Sequence, residues 1–583
     1  MTKKADQHDA WSPGISSTIP AHLRPQITLY RPENSSVSYT EAKDAADFCG
    51  TNAREMVAFT FDRLVTHETL IRVTADLHVP DGDAYEDLGL NLRQMAANIA
   101  DKHVAPHRGR LKAEFDALCD QIRHTIEARL DQNVFAPARP ATATPPKETG
   151  GLFGRLFGRK TSTAPAPQPA PDAGQPRDQS ALSGWQTELR DLDEGLERAC
   201  LEALCFVAGG IIKRRGRLPA DRDLIARLAT HRACNRHGSR AVGEMIQPLI
   251  REAAEAGEFT LLPPQDRPVI LNVKGASASG KSTLRNLQRE LAERLGIPWQ
   301  EFALVSPDYW RKHLLDYRSL GEDHKYAAVL TGEELEIIDR KLDEYFVRKQ
   351  QRGDVPHLLI DRFRFDSFVS TAQGEDVGNL LSRFGDRVYI FVMITPPAET
   401  VERAWKRGLT TGRFKAVDDL LYHNIEAYTG IPNLFFTWIN KTQQKVHFEF
   451  LDNGVALGER PRTLAFGWNG RLVVLDAEGL RNLDRYRHVN VDATRPEDVL
   501  QSPPEKAGDF LRECLDKVAE VSFLDAEGKA VAAEVRDGRC TYATEGAAER
   551  LNLGLTCPEG GEPPPFDAKD ERFHTLGAWP GDP

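Results

Sequence analysis

Residues 268–283 read PVILNVKGASASGKST, an apolar run that leads directly into a glycine-rich loop. The run PVILNV predicts a buried strand, and the following STLRNLQRELAERLG (282–296) has the apolar spacing of a helix. Between them, residues 275–282 match G-x-x-x-x-G-K-[ST]. In a strand–loop–helix setting this pattern predicts a phosphate-binding loop, or P-loop.

Each residue type in this loop has a physical role. Gly275 and Gly280 let the backbone turn its N–H groups toward phosphate oxygens, and the helix N-terminus adds its dipole. We expect Lys281 to neutralise the β- and γ-phosphates of ATP, and Ser282 to place its hydroxyl on Mg²⁺. The expected nucleotide-binding residues are Gly275, Ala276, Ser277, Ala278, Ser279, Gly280, Lys281, Ser282 and Thr283, the last as the start of the helix.

Five further apolar runs follow the first and alternate with helical patterns. Strands that alternate with helices are typical of a parallel sheet covered by helices on both faces. The sequence therefore predicts an α/β fold with a doubly wound parallel sheet. Its strands are expected in PVILNV, EFALVS, PHLLID, RVYIFVMI, KVHFEF and RLVVLD.

Composition divides the chain into five segments. Helical patterns fill residues 1–133, whereas residues 134–181 are rich in Pro, Ala, Thr and Gly, which predicts a disordered linker. Helical patterns return in 182–262, the alternating runs occupy 263–496, and 497–583 form a small C-terminal extension with one helix and a hairpin turning at 525–529. Within the linker, GLFGRLFGRK is apolar and basic, which fits a segment that folds on a partner or an anionic membrane, or an inert linker.

Bulk composition excludes several classes of protein. The chain has no apolar stretch of about eighteen residues and no apolar signal core near its start, so we expect a cytoplasmic protein without a membrane span. The net charge of −11 argues against a protein that coats nucleic acid. Its eight cysteines lie without CxxC pairs, which argues against a zinc site or a disulfide frame and predicts buried, reduced thiols.

The second apolar run ends in a pair of charged residues. EFALVS is followed by PDYWR (307–311), which puts Asp308 and Arg311 at the carboxyl edge of the sheet, where ligands of open α/β folds bind. A carboxylate there can take the proton from an acceptor hydroxyl as the hydroxyl attacks the γ-phosphoryl group. The alternative is that Asp308 only caps the helix that follows.

With these two motifs the chain resembles the zeta-toxin-like P-loop kinases, which pair GxxxxGK[ST] with an acidic D-x-x-R at the end of strand two. The resemblance covers residues 268–455. It implies that Lys281 contacts the phosphates, Ser282 the metal and Arg311 the acceptor, with Asp308 as the catalytic base. Phage-type polynucleotide kinases share both motifs, so the resemblance indicates the reaction better than the substrate. The helical amino-terminal half and the region after 497 have no counterpart in the minimal family.

The third run, PHLLIDRFRFD (356–366), ends in a further acid. Asp361 occupies the usual place of an acid that holds Mg²⁺ through water, although aspartates at strand ends also serve in turns. Arg362 and Arg364 follow it, and we expect both to reach an anionic acceptor.

The segment TPPAETVERAWKRGLTTGRF (395–414) follows the fourth run and carries three arginines. Arg403 and Arg407 share one helix face, and Arg413 lies in the glycine-flanked loop beyond. The segment resembles the arginine-bearing lid of P-loop kinases, in which guanidinium groups close over the phosphates and stabilise transfer. Arg407 and Arg413 are the expected catalytic arginines, and a solvated helix face is the competing interpretation.

Two further positions concern the base of the nucleotide. Asp452 and Asn453 end the fifth run, at a position from which related kinases frame the adenine. Asn440-Lys441 is followed by Thr-Gln, so the guanine-reading NKxD motif is absent and ATP is the expected nucleotide.

The leading expectation is an ATP-dependent kinase that phosphorylates a hydroxyl of a small anionic metabolite, with nucleotide-sugars or dinucleotides suggested by the resemblance. One alternative is a kinase for nucleic-acid 5′-hydroxyls, which requires a basic groove with interleaved aromatics. Nucleic acid is disfavoured because basic and acidic residues nearly balance in 267–495. Another alternative is a non-catalytic, ATP-dependent switch that governs the helical half, which is also a candidate surface for a protein partner or inhibitor.

Overall fold

A ten-stranded sheet organises the computed structural model of the chain, which describes residues 8–82, 86–135, 176–362, 381–456, 458–504, 508–558 and 561–582. The strands are β1 (Val269–Lys274), β2 (Phe302–Val305), β3 (His357–Asp361), β4 (Arg387–Ile394), β5 (Lys445–Asp452), β6 (Arg462–Trp468), β7 (Arg471–Val474), β8 (Glu520–Leu524), β9 (Val531–Arg536) and β10 (Arg539–Ala543). Their spatial order is β10-β9-β8-β7-β6-β5-β4-β1-β3-β2.

Half of this sheet is parallel. Strands β5, β4, β1, β3 and β2 run in one direction, and Ile270 of β1 lies between Leu358 of β3 and Val388 of β4. Every residue of β1 is buried, as expected for a strand covered on both faces. The loop after β1 therefore emerges at the carboxyl edge with a parallel neighbour on each side, where ligands of open α/β sheets bind.

The other half of the sheet is mixed, so the expectation of a purely parallel sheet is wrong although the α/β class is confirmed. Strand β6 is antiparallel to β5 and to β7, whereas β7 and β8 are parallel. The predicted run RLVVLD forms β7, but it turns back from β6 through Asn469-Gly470. Gly470 has φ +73°, a conformation that glycine adopts without steric cost.

The C-terminal region belongs to the same sheet. Strands β8 to β10 add to it, so the boundary predicted between 496 and 497 falls inside one structure. The predicted hairpin is confirmed as β8–β9, with Leu524 opposite Val531. Near the chain end, the backbone N–H groups of Leu576 and Gly577 donate to the buried Glu449 carboxylate of β5 at 2.7 and 2.9 Å. These bonds connect Leu576 and Gly577, near the end of the described chain, to strand β5.

Helices make up most of the remaining described structure. They are α1 (Tyr39–Cys49), α2 (Phe61–Asp76), α3 (Asp87–Asn98), α4 (Arg108–Asn133), α5 (Arg177–Asp191), α6 (Leu196–Arg215), α7 (Arg222–Ala233), α8 (Ser239–Glu255), α9 (Arg285–Arg294), α10 (Arg311–Leu314), α11 (Ala327–Leu330), α12 (Gly332–Arg352), α13 (Pro397–Thr411), α14 (Val417–Ile439), α15 (Ala477–Leu480), α16 (Asn482–Arg485), α17 (Phe510–Lys517), α18 (Ala547–Arg550) and α19 (Ala568–Arg572). Within the described ranges, none has both the length and the apolar character needed to cross a membrane.

The chain forms two compact units. One contains residues 1–31, 65–108 and 243–583, and hence the whole sheet. The other contains residues 32–64 and 109–242, and its core is formed by apolar residues at helical spacing on α4 and α6, among them Ile122, Ile126, Leu201, Leu204 and Ile211. The predicted helical character of the amino-terminal region is confirmed where it is described, but residues 65–108 group with the sheet.

The predicted linker is shorter at its carboxyl end than expected. Helix α5 begins at Arg177, so residues 177–181 are helical. Ala181 and Trp185 are buried on one face of α5, and the Asp178 carboxylate accepts a hydrogen bond from the Leu218 N–H at 2.8 Å. Residues 136–175, with the GLFGRLFGRK segment, lie outside the described residues.

The cysteines differ from the prediction in two respects: two of them form a disulfide, and the free thiols Cys119, Cys205 and Cys234 are only partly buried. Cys540 of β10 and Cys557 form a disulfide, which corrects the expectation of reduced thiols at these two positions. Spacing alone did not reveal it, because the two cysteines lie 17 positions apart and outside any CxxC pattern. Cys49, Cys200 and Cys514 are buried free thiols, as predicted.

Residues 10–17, here called the strap, pack on α13 and α14. The Trp11 indole N–H donates to Glu402 of α13 at 2.9 Å, and the Ser17 hydroxyl donates to Asp418 of α14. Ala10 is buried in an apolar cluster with Val401, Ala404, Leu420 and Leu421. The beginning of the described chain is thus bonded to the two helices that flank the predicted lid arginines.

Candidate active site

The loop after β1 has the backbone shape that its glycines permit. Gly280 has φ +90°, and a Cβ there would lie 2.3 Å from the side-chain nitrogen of Asn453. A Cβ on Gly275 would lie 2.7 Å from the Ser279 hydroxyl oxygen and 3.0 Å from Met393. Ala278 also has a positive φ of 61°, which is strained for a residue with a side chain. Two glycines are therefore required sterically, and the loop is held in a strained form.

The neighbouring strand ends hold this loop in place. The Ser279 carbonyl accepts hydrogen bonds from the Asn453 side-chain amide at 2.8 Å and from the Thr395 hydroxyl at 2.9 Å. Thr395 follows β4 and Asn453 follows β5. Asn453 thus supports the loop directly, whereas the sequence placed it beside the adenine. The Ser279 hydroxyl is buried and has no hydrogen-bond partner among the described residues.

Lys281 is folded back onto its own loop. Its ammonium donates to the carbonyls of Ala276 at 2.8 Å and Gly275 at 3.2 Å. Burial lowers the pKa of Lys281, and the charges of Asp361 and Asp308 oppose that shift. The ammonium lies near both predicted acids, and its bonds are to carbonyls that a phosphate oxygen can replace.

Ser282 and Asp361, the two predicted metal ligands, are adjacent. The Ser282 hydroxyl donates to the Asp361 carboxylate at 2.8 Å. Mg²⁺ prefers oxygen ligands and uses one or two from the protein, with phosphate and water supplying the others. No cluster of three or more His, Cys, Asp or Glu side chains suited to a metal occurs in the described ranges. The pair therefore fits Mg²⁺ bound together with a nucleotide, and does not form a closed metal cage.

Asp308 lies in a short 3₁₀ turn, Pro307–Trp310, directly after β2. Its carboxylate is 2.9 Å from the Arg311 Nε and 2.7 Å from a terminal nitrogen of Arg413. Burial raises the pKa of Asp308, but the charges of Arg413 and Arg311 outweigh it and hold the pKa well below its usual range. The side chain is 47% exposed. Asp308 is therefore an ionised and accessible carboxylate, which a proton acceptor must be.

Arg311 has a fixed orientation. Besides Asp308, it contacts the Ala328 carbonyl of α11 at 2.6 Å and the hydroxyl of Thr331, which directly follows that helix, at 3.0 Å. These bonds hold the guanidinium beside the carboxylate. Arg311, the predicted acceptor-binding arginine, is thus held next to Asp308.

The three predicted lid arginines have different surroundings. Arg403 bonds to Glu399 at 2.6 Å and to the Asn453 carbonyl at 2.7 Å, so it joins α13 to the end of β5. Arg407 and Arg413 instead act electrostatically on both Lys281 and Asp308. The two favoured arginines therefore belong to the same cluster of charges as the loop lysine and the candidate base.

Arg362 is buried in ion pairs within the fold. Its guanidinium is buried and pairs with Asp339 and Asp343 of α12, with Nε 2.9 Å from the Asp339 carboxylate and Nη1 2.7 Å from that of Asp343. Two carboxylates neutralise one guanidinium, which argues against the predicted contact with an anionic acceptor. Arg364, the other arginine predicted there, lies outside the described residues.

Sequence reasoning missed a lysine–histidine pair beside the lid. Lys415, two residues after Arg413, has its ammonium 2.5 Å from the His423 Nδ1 of α14. Burial lowers the pKa of Lys415 to about 8, and Arg407 and Asp308 are among the charges that act on it. The sequence did contain a signal for this pair: Asp419 and His423 lie four residues apart, on one face of the helix that follows the predicted lid.

Tyr317 is a second group that the sequence did not indicate. Its hydroxyl is buried and has no hydrogen-bond partner in the described part of the chain. Burial raises the pKa of Tyr317, while the charges of Arg311 and Arg413 lower it. The phenol therefore stays neutral at ordinary pH and keeps its proton for donation to an acceptor atom.

Comparison of the chain with protein-family models, with curated proteins and with solved structures finds no match. The function must therefore be argued from the cluster itself. That cluster combines a glycine-rich loop with Lys281, a hydroxyl–carboxylate pair, and an ionised aspartate flanked by arginines.

Proposed function

We propose that the chain is an ATP-dependent phosphotransferase, with β1–β5 and their helices forming a P-loop kinase fold of the zeta-toxin-like type. The observation that carries the proposal is the proximity of Asp308, Lys281, Arg407 and Arg413, whose charges act on one another at the carboxyl edge of the parallel strands. A phosphate-binding loop with no carboxylate across the site from it would suit a protein that binds a nucleotide without transferring its phosphate. The carboxylate supplies the base that transfer to a hydroxyl requires.

The nucleotide is bound by the loop in this proposal. The N–H groups of residues 275–282 point to the phosphates, and Lys281 leaves the carbonyls of Gly275 and Ala276 to neutralise them. Ser282 and Asp361 would hold Mg²⁺, which would offset the negative charge of the phosphates. Asn453 and Thr395 keep the loop in shape through their bonds to Ser279.

The chemical step uses Asp308 and the arginines. The acceptor oxygen forms a bond to the γ-phosphorus while the bond from that phosphorus to the β,γ-bridging oxygen breaks, and ADP leaves with the electron pair. The acceptor proton passes to the Asp308 carboxylate. Arg407 and Arg413 stabilise the charge on the transferring group. Arg413 must leave Asp308 for this, and the phosphates of ATP compete for it.

The acceptor in this proposal is a small anionic metabolite with a free hydroxyl, such as a nucleotide-sugar or a dinucleotide. Cationic side chains outnumber carboxylates around Asp308, because Lys281, Arg311, Arg407, Arg413 and Lys415 face Asp308, Asp361 and Asp419. The negative charge of ATP with Mg²⁺ offsets part of this excess positive charge. The positive charge that remains favours an acceptor that carries negative charge.

The test is to incubate the protein with γ-labelled ATP, Mg²⁺ and a metabolite extract, and to identify labelled products by mass spectrometry. We expect a labelled small molecule with the wild type and none with Lys281→Ala, which lacks the main side-chain counterion of the phosphates. ATP turnover without any labelled acceptor would instead support an ATP-dependent switch. Label on the 5′-end of an added oligonucleotide would support a polynucleotide kinase.

A further inference from the structure

A lysine, a histidine and an aspartate form a connected group at the start of α14. The Lys415 ammonium lies 2.5 Å from Nδ1 and 3.3 Å from Nε2 of His423, and 3.3 Å from the Asp419 carboxylate. The side chains of Lys415 and His423 are 16% and 20% exposed. The group is therefore largely enclosed but open on one side.

The imidazole in this group is neutral. Burial, together with the charges of Lys415 and Lys281, lowers the pKa of His423 to about 2, against the opposite effect of Asp308. A neutral imidazole has a nitrogen lone pair that can accept a hydrogen bond from the ammonium. His423 can thus orient Lys415 without adding a charge.

The pKa of Lys415 is lowered. Burial is the main cause of its fall to about 8, Asp419 opposes that fall through charge and a hydrogen bond, and Arg407 adds to it. Several ionisable groups from four elements surround the pair: Asp419 and Glu426 of α14, Arg407 of α13, Asp308 and Arg311 after β2, and Lys281 of the loop. Four of these groups, Asp308, Arg311, Arg407 and Lys281, belong to the candidate site. Lys415 also lies two residues after Arg413, which pairs with Asp308 at 2.7 Å, so the lysine–histidine pair lies at the border of that site.

The ion pair with Asp419 does not fully offset the cost of an ammonium here. Burial disfavours the charged form of Lys415 and lowers its pKa, and repulsion by Arg407 adds to that effect. An apolar side chain of similar length would fill the same volume without that repulsion. The incoming negative charge of a phosphoryl group removes the repulsion, because it attracts Arg407 and Lys415 alike.

We propose that Lys415 is a further catalytic residue, whose ammonium contacts an oxygen of the phosphoryl group during transfer, and that His423 and Asp419 are its positioning residues. The proposal rests on the proposed phosphotransferase function. It names a side chain beyond Lys281, Arg407 and Arg413 that stabilises the developing charge. Contact with the transferring group requires the protonated form of Lys415, so this contribution is lost as the pH rises through about 8.

The experiment measures binding of a transition-state mimic, which needs no knowledge of the acceptor. Affinities for ADP with Mg²⁺, and for ADP with Mg²⁺ and aluminium fluoride, are compared from pH 6.5 to 9.5. The variants are Lys415→Met, Lys415→Arg, His423→Leu and His423→Gln, with Lys406→Met as the control because Lys406 is an exposed lysine of α13. Thermal unfolding of each variant checks the fold.

We expect Lys415→Met to bind ADP like the wild type and to bind the fluoride complex about a hundredfold more weakly at pH 7. Wild type and Lys406→Met should lose affinity for the fluoride complex above pH 8, by up to about tenfold for each pH unit, whereas Lys415→Arg should lose much less because arginine stays charged. Comparison with Lys415→Arg removes the pH dependence of the fluoride itself. His423→Gln, which keeps a hydrogen-bond acceptor, should bind better than His423→Leu.

Equal affinities of Lys415→Met and wild type for the fluoride complex would overturn the role of Lys415, and so would identical pH profiles of Lys415→Arg and wild type. Failure of the proposed function has a different signature. In that case wild type would bind neither ADP nor the fluoride complex at pH 7, or Lys281→Ala would bind both normally, and the inference about Lys415 would fall with it.

Discussion

The Asp308 carboxylate and the Arg413 guanidinium form an ion pair with a nitrogen–oxygen distance of 2.7 Å. Asp308 comes from the turn after β2 and Arg413 from the loop after α13, so the pair joins two sides of the candidate site. Together with Arg311, it keeps the carboxylate ionised. The same pair weakens Asp308 as a base, since a carboxylate with a very low pKa has little affinity for a proton.

Replacement of Asp308 by asparagine tests its role as the base. Asp308→Asn keeps the shape but removes the basicity, so acceptor phosphorylation should fall by about two to four orders of magnitude. ATP affinity should change little, because the proposed nucleotide contacts lie in the loop and not at Asp308. Both quantities are measured with γ-labelled ATP and the acceptor that the extract experiment identifies.

Asp316→Asn serves as the matched control, because Asp316 is an exposed aspartate that caps the next 3₁₀ turn. It should retain wild-type transfer. If Asp308 only caps a turn, asparagine replaces it well and Asp308→Asn keeps both stability and activity. Wild-type rates in that variant would remove Asp308 from the mechanism.

Removal of Arg413 should shift the pH dependence of the reaction. The positive charge of Arg413 lowers the pKa of Asp308, so Arg413→Met should raise that pKa toward its ordinary value. If Asp308 is the base, transfer requires its ionised form and is lost as the pH falls through its pKa. We therefore expect the acidic limb of the pH–rate profile to move to higher pH, with a lower maximal rate. Lys406→Met should leave the limb in place, and an unmoved limb in Arg413→Met would contradict the coupling.

Gly280 offers a test of the loop geometry. Gly280→Ala combines a φ of +90° with a Cβ 2.3 Å from the Asn453 side-chain nitrogen, whereas Gly353→Ala has a φ of +72° and no atom within 4 Å of the new Cβ. Each variant bears the backbone strain of about 1–2 kcal/mol, but only Gly280→Ala displaces Asn453 from Ser279. Isothermal titration should show loss of ATP binding in Gly280→Ala alone. Similar losses in both variants would mean that strain, not the contact with Asn453, controls the loop.

Glu449 should make stability depend on pH. Burial raises the pKa of Glu449 to about 7, and bonds from Gly577, Leu576 and Thr463 oppose that shift. A raised pKa in the folded state means that the folded chain binds more protons than the unfolded chain between about pH 4.5 and 7. The stabilisation is full below that range, and about 3 kcal/mol of it is lost progressively as the pH rises across the range to 7.

Glu449→Gln removes this titration. Urea unfolding at pH 5.5 and pH 8 should therefore show a smaller difference in the free energy of unfolding for Glu449→Gln than for the wild type. Glu459→Gln, at an exposed glutamate after β5, is the control and should behave like the wild type. An unchanged difference in Glu449→Gln would show that Glu449 stays charged when buried.

The sequence predicted those parts of the fold and site that local patterns determine. The glycine-rich loop, Asp308 and Asp361 each lie at the carboxyl end of a strand. A parallel sheet therefore brings them to one edge, whatever the rest of the chain does. Strand β6 was missed although the signal was present: Asn469-Gly470 marks a hairpin turn, and TLAFGW before it is apolar. The turn was overlooked because each apolar run was taken to be a further parallel strand of one sheet.

The remaining features depend on which partner each side chain meets. Arg362 carries the same charge and lies as close to a strand end as a substrate-binding arginine would. Its pairing with Asp339 and Asp343 follows from the position of α12 and not from its own neighbours in sequence. Lys415 and His423 are likewise ordinary residues in the sequence. Only burial beside the arginines gives them unusual pKa values.

The bond from Trp11 to Glu402 spans 391 positions of the chain. A ribosome adds about 5–20 residues per second, so roughly 20–80 s pass between synthesis of the strap and synthesis of its partner helices. During that interval Ala10 and Trp11 have no apolar surface of α13 or α14 to cover. The first part of the described chain to be made is therefore among the last to reach its final contacts, and the newborn protein cannot complete the surroundings of its lid arginines until α14 has been translated.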